Sequence, residues 1–80
     1  MLAGMPGRVL AIDNLQIARI ARLAGAPLDS LSGIDLHRKL DDPVEQGEPL
    51  YTIYAEFLAD FQFAKQAAFA DAGYRIGSGP

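Results

Sequence analysis

Eighty residues, half of them apolar, make one small domain with a thin core, because 13 of the positions are alanine. The chain has no cysteine, which excludes disulfides and thiolate metal sites and fits a reducing cytoplasm. Its net charge is −3 with the seven basic residues spread along the chain, which argues against nucleic-acid binding; no apolar run reaches the roughly 18 residues that span a bilayer, and Met1 to Arg8 lacks the basic-then-apolar order of a signal peptide.

Met1 to Gly7 contains two glycines and a proline and reads as a flexible lead-in, with residues 1–6 outside a single domain over 7–77 and 78–80 as a tail. Arg8 to Ile12 is a short apolar run, predicted as a strand. Asp13 or Asn14 offers a side-chain oxygen to the first free amides of a helix from about Leu15 to Ala24. Ile17, Ile20, Ala21 and Ala24 form its buried stripe. Gly25 supplies a left-handed cap and Pro27 prevents continuation.

Leu28 to Ser32 reads as a loop. Gly33 opens a second strand in which Ile34, Leu36 and Leu40 alternate with Asp35, His37 and Lys39, one face packed and one wet. Asp41-Asp42-Pro43 is a turn, Val44 anchors a short extended piece, and Glu45-Gln46-Gly47 turns again. Pro49 suits a strand's beginning, and Leu50 to Ala55, with two tyrosines, a threonine and an isoleucine, is predicted as a third strand. A second helix is predicted from about Phe57 to Ala72, with Phe57, Leu58, Phe61, Ala64, Ala68 and Ala72 on one broad face. Gly73 ends it, and Tyr74-Arg75-Ile76 is a last strand. The predicted order is β-α-β-β-α-β.

Few residues carry reactive chemistry. His37 is the only histidine, and Asp35 shares its strand face as an orienting carboxylate would; the plainer reading is an outward histidine beside an outward aspartate. Asp41, Asp42 and Glu45 supply carboxylate oxygens that a hard cation uses, but without the interleaved ligands of a calcium loop they read as turn formers. Arg19 and Arg22 read as the solvated face of the first helix, or as a contact to a neighbouring domain, before a phosphate grip. Lys39 and Lys65 are the only lysines; a carrier domain displays its modified lysine at an exposed hairpin tip, whereas these fall on a strand and in mid-helix. Phe63 points away from the helix's main apolar face, so it is either a docking residue or part of a helix buried on both sides.

Taken in order, Gly7-Arg8-Val9, Ile12-Asp13-Asn14, Ile17, the run Ile20 to Pro27, Asp29, Gly33-Ile34, Leu36-His37, Val44 and the run Gly47 to Glu56 resemble the C-terminal domain of the thymidine phosphorylase / pyrimidine-nucleoside phosphorylase family, AMP phosphorylases included. The resemblance covers about residues 7–56. Ser30 and Ser32 stand where the family usually has a lysine and a small residue, and Asp41 replaces a common glycine. Aspartate tolerates a left-handed backbone better than most residues, so the turn there is expected to survive.

The resemblance implies an α+β fold of the barrel-sandwich-hybrid, or α/β-hammerhead, type. It implies a parent chain that splits a nucleoside or nucleotide with phosphate into a free base and a sugar 1-phosphate. The family's phosphate- and base-binding residues lie in preceding helical and α/β domains. No catalytic, cofactor-binding or metal-ligating residue is therefore assigned to this segment, and no cofactor is implied. The implied partners are those preceding domains, in a cytoplasmic and oligomeric parent. A free-standing barrel-sandwich interaction or carrier module is the alternative.

Overall fold

The computed structural model describes residues 1–26 and 32–77. Pro27, the predicted loop from Leu28 through residue 31, and the tail from residue 78 lie outside the described residues.

Among the described residues the elements run β1 (Gly7–Ile12), α1 (Asn14–Ala24), β2 (Gly33–Leu36), β3 (Pro43–Val44), β4 (Tyr51–Tyr54), α2 (Leu58–Ala70) and β5 (Tyr74–Gly77). The α+β class is as expected. The order has one strand more than the sequence indicates, because Pro43 and Val44, read as an isolated extended piece, pair with Arg8 and Gly7. Two antiparallel sheets result, β3-β1-β5 and β2-β4. Val9 is fully buried at the centre of the larger sheet. Leu10 falls in a bulge between Val9 and Ala11, which re-aims it toward solvent.

Asp13, rather than Asn14, is the N-cap of α1. Its Oδ1 accepts from the Leu15 and Gln16 amides, each at 3.1 Å. Gly25 closes the helix at φ 119°, where a side chain would be strained. The stripe of Ile17, Ile20, Ala21 and Ala24 faces inward as its spacing dictates, with Ile20 and Ala24 fully buried. They lie in the same core cluster as Ala64 and Ala68 of α2, whose small side chains let two helices approach closely. The Gln16 side-chain amide donates to the Asp71 carbonyl at 2.8 Å, joining the start of α1 to the end of α2. Asp13→Ala is expected to cost about 0.5–2 kcal/mol by leaving two helix amides without an acceptor, while Asp13→Asn retains most of it; urea titration of the three proteins checks this.

Several expectations are corrected by local geometry. β2 stops at Leu36, so His37 and Lys39 are not on the strand, and Leu36 and Leu40 are exposed rather than packed. β4 begins at Tyr51 rather than Leu50, because Leu50 still belongs to the turn out of Pro49. α2 ends at Ala70 with Asp71 as its cap, before Gly73, and Phe57 and Leu58 are exposed at its start instead of sharing the buried face. Within residues 1–6, Leu2 bridges Pro49 and Ala3 is buried. Composition missed this because the pairing partner lies more than forty residues away. Asp41 takes φ 70°, a left-handed conformation that aspartate tolerates better than most residues.

Candidate functional site

An apolar cleft of about 450 Å³ opens between β4 and α2. Ile53 forms one wall and Phe61, Ala68 and Phe69 the other, with Met1 and Leu2 at its mouth. The strand's pleat sets the first wall, and the α2 turns that stack four residues apart set the second. Thr52 and Lys65 supply its polar edge; the Lys65 ammonium lies 5.9 Å from the Phe69 ring centroid. Such a cleft suits an apolar side chain.

Of the sequence-derived candidates, Lys65 alone lines the cleft. His37 is exposed and shares a 2.6 Å hydrogen bond with Thr52 Oγ1 through Nε2, so Thr52, not Asp35, orients its ring. Asp42 is used inside its own turn, where Oδ2 accepts from the Lys39 amide at 2.7 Å. The Glu45 amide donates to Glu48 Oε1 at 2.7 Å. Among the described residues, no three of His, Asp and Glu cluster as metal ligands would. Arg19 and Arg22 are both exposed on the outer face of α1, and Arg22 sits in the last turn, where a cation suits the helix dipole.

Lys39 begins a turn that leads from β2 to β3, and the Asp42 amide donates to its carbonyl. Those two strands belong to different sheets, so the turn is not a hairpin. Lys65 is in mid-helix as its position in the sequence indicates. Phe63 is exposed, which removes the reading of α2 as buried on both sides; Leu58 and Phe69 are more exposed still, at 72 % and 73 %.

The groups that periodicity did not single out are two tyrosines and one ion pair. Tyr51 is buried against the Tyr74 ring, with centroids 5.6 Å apart, and its hydroxyl donates to the Ala72 carbonyl at 2.8 Å. Burial, with smaller contributions from Tyr74 and Asp71, pushes its phenol up to about 12. The Tyr74 hydroxyl donates to the Arg38 carbonyl at 2.7 Å, and burial raises its phenol as well, with Asp42 adding to the shift. The Glu45 amide, then Arg38, hold the Glu48 carboxyl below its usual range. These groups clasp the turns between β2 and β4 to the body of the domain. The strand pattern of Leu50–Ala55 placed Tyr51 in an element, but only the fold shows which carbonyl it meets.

The described residues form a small α+β unit of two helices and two antiparallel sheets. Residues 8–77 match the family described as the pyrimidine nucleoside phosphorylase C-terminal domain. The chain belongs to that family. It is 52% identical over 71 residues, or 89% of its length, to a protein of Methylococcus capsulatus named "Putative thymidine phosphorylase". Proteins of the same name from Albidiferax ferrireducens and Rhodopseudomonas palustris are 52% and 49% identical over 94% and 95% of the chain. The chain spans only 14% to 15% of the length of these relatives.

Proposed function

We propose that residues 7–77 are the C-terminal structural domain of a nucleoside or nucleotide phosphorylase, a pentosyltransferase that uses phosphate to release a free base and a sugar 1-phosphate. The family match over residues 8–77, within relatives about six times longer, carries this reading. The names of those relatives favour thymidine as the substrate of the parent. The reaction requires donors that neutralise phosphate and polarise the base. Here His37, Asp42 and Glu48 serve local turns and contacts, and the arginines of α1 stand on an outer face. The domain's role is to pack beside the preceding α/β domain, complete the fold and contribute to oligomer contacts in a cytoplasmic enzyme. No helix among the described residues is long and apolar enough to cross a membrane.

A finer fold assignment belongs to the same reading. Two small antiparallel sheets joined through a pair of packed helices are compatible with a barrel-sandwich hybrid carrying inserted helices. The carrier alternative is disfavoured by the two lysines, one in a turn between different sheets and one on a helix. The purified 80-residue chain is expected to give no phosphorolysis of thymidine or AMP above a blank, while the parent does. Turnover by the isolated segment would overturn the proposal.

A further inference from the structure

The first three residues run antiparallel to the turn that leads into β4. The Ala3 amide donates to the Glu48 carbonyl at 2.8 Å, the Leu50 amide to the Met1 carbonyl at 2.8 Å, and the Met1 nitrogen to the Tyr51 carbonyl at 2.7 Å. The other edge of β4 is taken by β2, in register Asp35↔Thr52 and Gly33↔Tyr54, with the His37 amide on the Leu50 carbonyl. Alternate residues of an antiparallel strand aim their amide and carbonyl at opposite edges. Thr52 and Tyr54 therefore face β2, while Tyr51 and Ile53 face the side of Met1. Met1 occupies Tyr51, and Ile53 is the next in line. Beside Ile53 opens the cleft of about 450 Å³ walled by Phe61 and Phe69.

We infer that the polypeptide preceding Met1 in the parent chain continues this ladder as an extended strand along β4, pairing with Ile53 and laying an apolar side chain into the cleft against Phe61 and Phe69. The inference rests on the reading of the chain as a domain of a longer phosphorylase. Two observations and one physical argument select this occupant. The ladder already runs in the required direction and ends one step short of Ile53. Relatives of this chain are about six times longer. A covalently attached strand meets the edge at a high effective concentration, which a second copy or a separate peptide lacks. Burial also depresses the pKa of the Met1 ammonium, and a peptide amide at that position would donate to Tyr51 with no charge to desolvate.

The test is amide hydrogen exchange in the full-length protein encoded by the complete reading frame. The Ile53 amide is expected to exchange at least about ten-fold more slowly than an exposed edge amide. Replacing the second residue before Met1, which stands opposite Ile53 in the extended ladder, with proline should restore edge-like exchange there. Rapid exchange at Ile53 in the unmodified protein overturns the inference. So does slow exchange that survives the proline, or slow exchange that fades on dilution, since another segment or a second copy would then hold the edge. Thymidine phosphorolysis by the same preparation reports separately on the parent reading: turnover with an unprotected Ile53 removes the strand alone, and protection without turnover removes the phosphorylase reading alone.

Discussion

Tyr51→Ala is expected to abolish cooperative unfolding of the isolated chain. Tyr51 is the largest fully buried side chain among the described residues, and it links β4 to the end of α2 through the Ala72 carbonyl and to β5 through the Tyr74 ring. Truncating a buried aromatic costs about 3–5 kcal/mol. Leaving a carbonyl without its donor adds about 1–3 kcal/mol where water does not reach it. At roughly 0.05–0.15 kcal/mol per residue, a domain of this length has only about 4–12 kcal/mol in total. Tyr51→Phe keeps the ring and loses only the hydrogen bond, so it should fold with a loss of about 1–3 kcal/mol. Alkaline titration gives an independent signature. The folded phenol is lifted to about 12 from its ordinary 10.0, so the unfolded chain releases that proton first. Its contribution to stability is therefore complete below pH 10 and is lost as pH rises from about 10 to about 12. Tyr51→Phe should flatten this decline, leaving the part that Tyr74 carries. A cooperative melt of Tyr51→Ala within about 1 kcal/mol of the unmodified chain would refute the assignment of Tyr51 as the central clasp.

The second large effect is expected at Gly7. Its φ is 152°, and a Cβ there would lie 2.6 Å from the Gly77 carbonyl oxygen and 2.9 Å from its carbon. Both are backbone atoms of β5, so no side chain can swing aside. Gly7→Ala combines backbone strain of about 1–3 kcal/mol with separation of β1 from β5. Two controls divide these contributions. Gly47 has φ 87° with no described atom within 4 Å of the added carbon, so Gly47→Ala carries strain alone. Gly4 has open space and no positive φ, so Gly4→Ala should be nearly silent. Thermal melts should rank the losses Gly7 over Gly47 over Gly4. Equal losses at Gly7 and Gly47 would show that β5 does not press against β1 as closely as the structure has it.

Local chemistry made much of this fold legible. The Asp13 cap, the Ile17-Ile20-Ala24 stripe and the Gly25 stop are signals written within a few residues of one another, and all lie where the pattern puts them. α2 was harder to read. Its apolar residues lie on every side; the predicted face holds Ala64 and Ala68, which are buried, but its first residues Phe57 and Leu58 are exposed. β3 was missed because two residues carry no period, and their strand character comes from β1. The pairing of Met1–Ala3 with Glu48–Tyr51 and the partners of Tyr51 and Tyr74 are likewise distant in sequence and have no local signature. As for a site, the sequence carried the family in the order of its motifs, and the absence of any assigned catalytic residue followed from that resemblance alone. The cleft beside Ile53 was invisible because its walls, on β4 and α2, face each other only once the chain folds, and Met1 and Leu2 reach it from the far end of the sequence.

The pairing of β1 with β5 also sets an order of events during synthesis. β1 leaves the ribosome long before its partner Tyr74–Gly77 exists. α1, held by contacts within a few residues, can form at once, whereas closing the sheet across nearly the whole chain is entropically slow. Until β5 has emerged, Val9 and Ile12 have no strand on that flank. A nascent chain that stalls or terminates before Tyr74 therefore exposes an open strand edge and an uncovered apolar face, the features that draw chaperones and proteases.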